Sequence, residues 1–158
     1  MNNYDQLYLA ANLLIDISEN AQNERKGFKH DIGLAAWRKE FQTIKFSTSR
    51  QSGHSECIRK LINDRFDKNV ILVMHSQNMV KCFLRKEGLY KADYPIFTFN
   101  NVKNCFRGRD YSKLQAIIVD TATLSMSKEK EDLIYKEMYN AIYPQSHEDD
   151  PFFFIFVQ

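Results

Sequence analysis

The chain has 158 residues, enough for one domain with a single sizeable core. Hydrophobic residues make up 44% and charged residues 27%, which excludes wholesale disorder, and five glycines and three prolines leave little for long linkers. A formal net charge of +2 is too near neutral to imply nucleic acid by itself, and no apolar stretch approaches the ~20 residues of a membrane span.

Residues 4–18 place Tyr4, Leu7, Tyr8, Ala11, Leu14 and Ile15 at helical spacing, which predicts an amphipathic first helix. The first sixteen residues mix polar with apolar side chains and lack a basic start ahead of an apolar run, unlike a signal peptide. A polar loop is expected over 20–27. A second helical pattern, 30–41, carries Leu34, Trp37, Arg38 and Phe41.

The periodicity then changes. Residues 43–47 form a short strand candidate, followed by the polar run Thr48-Ser49-Arg50-Gln51-Ser52-Gly53-His54-Ser55. The next helix sets Cys57, Ile58, Leu61, Ile62 and Phe66 on one face. NVILVM at 69–74 is a continuous apolar run, the pattern of a strand buried on both faces. A helix is expected over 77–86, ending near Gly88. YPIFTF at 94–99 reads as a strand with Pro95 near its start, where proline is tolerated.

Residues 100–113 are polar and basic. LQAIIV at 114–119 is a second buried-strand run, closed by Asp120. Ser127 can cap a helix over 128–141, with Glu129 and Glu131 in its first turn and Ile134, Met138, Ala141 and Ile142 as its inner stripe. A polar, acidic loop over 143–151 leads to a last apolar strand, FFFIFV at 152–157.

Apolar strands alternating with helices predict an α/β fold: three layers around a mostly parallel sheet of about five strands, with N-terminal helices. The chain divides into an N-terminal helical segment, 1–42, and a core, 43–158, within one domain. Cys57, Cys82 and Cys105 are widely spaced, and no pair has CxxC spacing, so reduced thiols in a cytoplasmic protein are expected. His30 and His147 stand apart from any partner at metal-ligand spacing.

The chemistry concentrates where the first strand candidate runs through the polar loop into a helix. A phosphate-cradling loop needs small residues that turn successive backbone N–H groups inward, a glycine for close approach, and a helix starting at once. Ser52, Gly53 and Ser55 supply the small residues. Against the pattern G-x-x-x-x-G-K-[ST], the frame here reads Thr48-x-x-x-x-Gly53-His54-Ser55, with threonine for the first glycine and histidine for the lysine. An ordinary strand-to-helix turn is the plainer alternative.

The run Ser49-Arg50-Gln51-Ser52-Gly53-His54-Ser55 resembles the variant loop of phage terminase large subunits and related helicase-type ATPases, in which an arginine precedes the glycine. Ile117-Ile118-Val119-Asp120 resembles the strand that presents a Mg²⁺-associated carboxylate in that family, so this is a degenerate P-loop NTPase-like (Walker A-like) pattern over residues 43–158. The resemblance implies a phage-encoded viral protein. It implies that Arg50, Gln51, Ser52, Gly53, His54, Ser55 and Arg109 contact a nucleotide or phosphate, and that Ser55 and Asp120 hold Mg²⁺.

Two departures bear on activity. Relatives carry glutamate after the strand aspartate to orient the attacking water, and here that position is Thr121. A histidine with an ordinary pKa near ~6.5 is mostly neutral at pH 7 and cannot supply the fixed cation that lysine gives. Phosphoryl transfer depends on such positioning and electrostatic stabilisation, so the expectation is ligand binding with weak or no turnover. A slow ATPase with Asp120 as its one catalytic residue is the active alternative.

Other features keep two readings. His75-Ser76-Gln77-Asn78 either lines the site or caps a helix, and Gln42 with Trp37 and Phe41 either contacts a base or packs in the core. The second functional reading is a protein-interaction module, a viral accessory or host-inhibiting protein, using an apolar surface drawn from Tyr90, Tyr94, Tyr139 and Tyr143. A third is single-strand nucleic-acid binding through Arg107 and Arg109 with Phe106 and Tyr111. No membrane role is expected.

Overall fold

The computed structural model describes residues 3–47, 53–86, 88, 91–101, 110–120, 127–142 and 150–157. The chain opens with α1 (Asn3–Glu24), a 3-10 turn (Lys26–Phe28), α2 (Lys29–Ile32) and α3 (Leu34–Trp37), which widens into a π-turn over Arg38–Gln42. Then come β1 (Thr43–Phe46), α4 (His54–Lys60, widened over Leu61–Arg65), β2 (Val70–Met74), α5 (Gln77–Lys86) and β3 (Ile96–Thr98). β4 (Ala116–Asp120), α6 (Lys128–Ile142) and β5 (Phe153–Val157) complete the described elements.

All five strands run parallel, in the order β1-β5-β4-β2-β3. β2, β4 and β5 are buried at every residue, as their unbroken apolar runs predict for strands covered on both faces. Alternate side chains feed separate cores. Leu72, Met74, Ile118 and Ile155 pack with Leu7, Ala11 and Ile15 of α1, Cys57, Ile58 and Leu61 of the α4 segment, and Phe83 of α5. Ile71, Val73, Ile117, Val119, Phe154 and Phe156 face the other way, against Ile134 and Tyr135 of α6 and against Tyr111. Each fully buried aliphatic or Phe side chain contributes about 1.5–3 kcal/mol, so these two faces hold most of the fold's stabilisation.

The helix expected over 30–41 is broken at Gly33, whose φ of 78° and ψ of 148° suit a residue without Cβ. On α1 the inward line is Leu7, Ala11, Ile15, Ser18 and Gln22, while Leu14, expected inside, is 38% exposed. Apolar residues occupy two sides of this helix, and periodicity alone does not say which side faces the core.

A polar knot fixes the inner face of α1. Gln22 Nε2 donates to Ser18 Oγ and to the Phe152 carbonyl, each at 3.2 Å. Gln22 Oε1 accepts from the Phe152 amide at 3.1 Å and from Gln42 Nε2 at 3.2 Å. Ser18 Oγ donates to the Phe41 carbonyl. One glutamine thus ties α1 to the residue before β5 and to the residue before β1, satisfying backbone groups that burial would otherwise leave unpaired.

Candidate functional site

Because every strand is parallel, the carboxyl ends of all five share one edge. Along it stand Gly53 and His54 beyond β1, His75 and Ser76 after β2, Phe99 and Asn100 after β3, and Asp120 as the last residue of β4. The chain leaves β2 toward β3 on one side and leaves β4 toward β5 on the other, so the connections diverge between β2 and β4. Ligands of open α/β sheets bind outside the carboxyl ends at such a point.

Gly53 opens α4 in the left-handed region, φ 88° and ψ 25°, and its carbonyl accepts the first helical hydrogen bond, from Cys57 N at 2.9 Å. Its N-cap residue, being glycine, has no side chain to cap this end. A Cβ at Gly53 would also meet Tyr4 Cβ at 2.5 Å, so both backbone angle and space demand glycine. The first turn of α1 is held there by the Lys60–Asp5 ion pair, 2.6 Å, and by Lys60 lying over the rings of Tyr4 and Tyr8.

His54 is the first residue of α4 and 8% exposed; Asp120 is 2% exposed. Asp120 takes the same side of β4 as Ala116 and Ile118, the side covered by α1, α4 and α5. With β5 between them, β1 and β4 are about 10 Å apart. α4 begins over that gap, and His54 lies within Coulombic reach of Asp120. Burial pushes the imidazole pKa below its ordinary value, and the Asp120 carboxylate opposes this with a smaller upward pull. The net shift leaves His54 neutral at pH 7: a donor and acceptor of hydrogen bonds, not a fixed cation.

Of the residues expected in the site, Gly53, His54, Ser55 and Asp120 are brought to one edge. Arg50, Gln51, Ser52 and Arg109 lie outside the described residues. Ser55 is in the first turn of α4 and partly exposed. Its hydroxyl and the Asp120 carboxylate are the hard oxygen donors that Mg²⁺ takes. Among the described residues no three His, Cys, Asp or Glu side chains group as metal ligands. A cation held here would therefore draw remaining oxygens from its ligand or from water.

Gln42 does not join this constellation. It precedes β1 at the opposite edge and bonds to Gln22, while Trp37 is buried with its ring 4.5 Å from that of Phe41. A four-residue strand of about 13 Å separates Gln42 from the carboxyl edge, which overrides a base-contacting role. Tyr94 and Tyr111 are 7% and 6% exposed and belong to the two cores, so neither offers a docking or stacking surface. Tyr90, Tyr143, Arg107 and Phe106 lie outside the described residues, as does the side chain of Tyr139.

Ser76 does cap α5, with its Oγ 3.4 Å from Met79 N, and it also lines a cleft of about 480 Å³ with His75, Thr98, Phe99 and Asn100. That cleft lies over the carboxyl ends of β2 and β3, beside Asp120. The polar residues after YPIFTF are its sequence signal, although sequence reading assigned them only to a basic loop. A larger cleft, about 1110 Å³, opens at the amino edge among Asp16, Glu19, Asp64 and Arg65. It is on the wrong edge for the His54–Asp120 pair, and Arg65 is already engaged by Asp16 and Glu19 at 2.9 and 2.8 Å.

Comparison with protein-family models, with curated proteins and with solved structures finds no match to this chain. No helix among the described residues is long and apolar enough to cross a membrane.

Proposed function

We propose that the chain is a P-loop-like protein that binds a nucleotide or another phosphate-bearing ligand and turns it over weakly or not at all. One observation carries the reading: glycine in the left-handed conformation starts a helix over the same sheet edge at which His54 and Asp120 are buried in Coulombic reach of each other. Backbone N–H groups at the start of α4 supply partial positive charge to a phosphate, and Ser55 and Asp120 hold the accompanying Mg²⁺. The missing fixed cation argues for binding without efficient hydrolysis, because a neutral imidazole does little for charge developing on a transferring phosphoryl group. The resemblance of residues 49–55 further suggests a phage-encoded protein acting in the host cytoplasm.

The test is thermal unfolding of the whole chain against a panel of nucleotides, cyclic species included, with and without Mg²⁺. Ligand at ~100 times its dissociation constant stabilises by about 2.7 kcal/mol, a shift that His54→Ala and Asp120→Ala should abolish. A panel in which no nucleotide moves the melting curve overturns the proposal.

A second reading, a protein-interaction module, draws on a different observation. Leu9, Leu13 and Ile17 are more than half exposed on one side of α1.

A further inference from the structure

β2 and β3 end side by side, and the register sets Thr98, Met74 and Asp120 in one row across the carboxyl end of the sheet. Paired residues of a parallel sheet point to the same face, so Thr98 and Asp120 both look toward the side that carries α4 and α5. Two strand spacings, about 10 Å, separate them. Thr98 is 7% exposed and lines the cleft over this end of the sheet, yet its hydroxyl makes no hydrogen bond to a described residue. A buried hydroxyl in that state costs free energy until a ligand or a water pairs with it.

The rest of the cleft narrows the chemistry of that ligand. Gln77, Asn100 and Asn101 bring three amides, each holding a donor beside an acceptor, and the described lining residues include no carboxylate, ammonium or guanidinium. Asn101 N donates to the Thr98 carbonyl at 2.9 Å, which closes the turn that carries Asn100 and Asn101. The rings of His75 and Phe99 meet at 5.7 Å, nearly perpendicular, and give the cleft an aromatic wall. Its volume, about 480 Å³, is in the range of small-ligand sites. A flat, uncharged ring with donors and acceptors on its edge suits all of these features.

We propose that this cleft is a nucleobase subsite for the nucleotide of the phosphate site, an inference that rests on the phosphate-binding reading above. The base edge pairs with the Thr98 hydroxyl and the Asn100 amide, and its plane lies against the His75–Phe99 wall. The phosphates extend along the row past Met74 to Asp120 and the start of α4. Side-chain amides discriminate bases because donor and acceptor positions differ from base to base. The subsite therefore selects among nucleotides, which backbone N–H groups at the start of α4 cannot do.

Calorimetric titration of the whole chain with Mg²⁺ compares tripolyphosphate with the triphosphates of adenosine, guanosine, cytidine and uridine. At least one nucleotide should bind roughly tenfold or more tightly than tripolyphosphate, and the four should differ among themselves. Thr98→Val removes the hydroxyl at nearly constant shape, and Asn100→Ala changes an exposed turn. Each should weaken the preferred nucleotide by roughly 3–10-fold and leave tripolyphosphate affinity unchanged. Equal affinity for all four nucleotides overturns the base subsite, because they share ribose and phosphates. So does a preferred nucleotide that both variants bind as the wild type does. Tripolyphosphate binding as tightly as every nucleotide removes the subsite and leaves the phosphate reading standing, whereas binding of none of the five removes both.

Discussion

The Cβ of Tyr4, in the first turn of α1, lies 2.5 Å from where a Cβ on Gly53 would stand. The N-terminal helix is thus packed directly against the turn that opens α4, and its start is pinned there by Asp5 and Lys60. One glycine meets two demands at once: a left-handed backbone at φ 88°, and room for a neighbouring helix. The glycine that a phosphate loop would use for approach to its ligand is, in this chain, a packing residue.

Gly53→Ala should therefore destabilise the fold by about 2–4 kcal/mol, combining the cost of a left-handed L-residue with that of overpacking. Tyr4→Gly in the same chain removes the opposing Cβ and should recover the steric part, leaving the backbone part. A double-mutant cycle from denaturant unfolding measures the coupling, and additive effects would show that the contact is not the cause.

Gln22 and Gln42 are bonded to each other, yet their removal should differ. Gln22→Leu strips the Phe152 amide and carbonyl of their buried partner, at roughly 1–3 kcal/mol for each group left unsatisfied. Gln42 Oε1 has no hydrogen-bond partner among the described residues, so Gln42→Leu deletes an acceptor that is already unsatisfied. Equilibrium unfolding should show Gln22→Leu as the costlier variant by at least ~1 kcal/mol.

The sequence made the sheet easy to see and the site hard. β2, β4 and β5 announce themselves because a strand buried on both faces has no polar alternation to confuse it, and the helix face Cys57, Ile58, Leu61, Ile62 and Phe66 is buried as its spacing predicts. The π-turns at Arg38–Gln42 and Leu61–Arg65 leave no mark in periodicity, because one extra residue per turn only shifts the apolar stripe. His54 and Asp120 are separable candidates in sequence; what unites them is the placement of β5 between β1 and β4, a long-range fact of topology. Tyr4 beside Gly53 was equally invisible, since nothing in the first turn of α1 names its neighbour across the chain.

One buried and one partly buried acid make stability fall at alkaline pH. Burial pushes the Cys57 thiol from 9.0 up to about 12, and the Tyr135 hydroxyl, also desolvated, from 10.0 up to about 12. Both raised values mean that the folded chain keeps protons the unfolded chain releases. Stability from these groups is complete below about pH 9 and declines as pH rises toward about 12. Unfolding midpoints between those limits should fall with pH, and Cys57→Ala should flatten the earlier part of the decline, where Tyr135 contributes little. A midpoint unchanged across that range would mean that neither group is desolvated as its burial implies.

His54→Lys is the sharpest probe of the missing cation. A lysine at the head of α4 puts a permanent charge next to Asp120 and over the carboxyl edge, where His54 is neutral at pH 7. Hydrogen bonds to a charged group are worth about 1.5–3 kcal/mol, so a triphosphate should bind roughly 10–100-fold more tightly to this variant, as read by calorimetry. Turnover need not follow, because position 121 remains threonine. Affinity that is unchanged or weaker would mean that the side chain at 54 does not reach the phosphates, and that any ligand of this edge is held from the β2–β3 cleft instead.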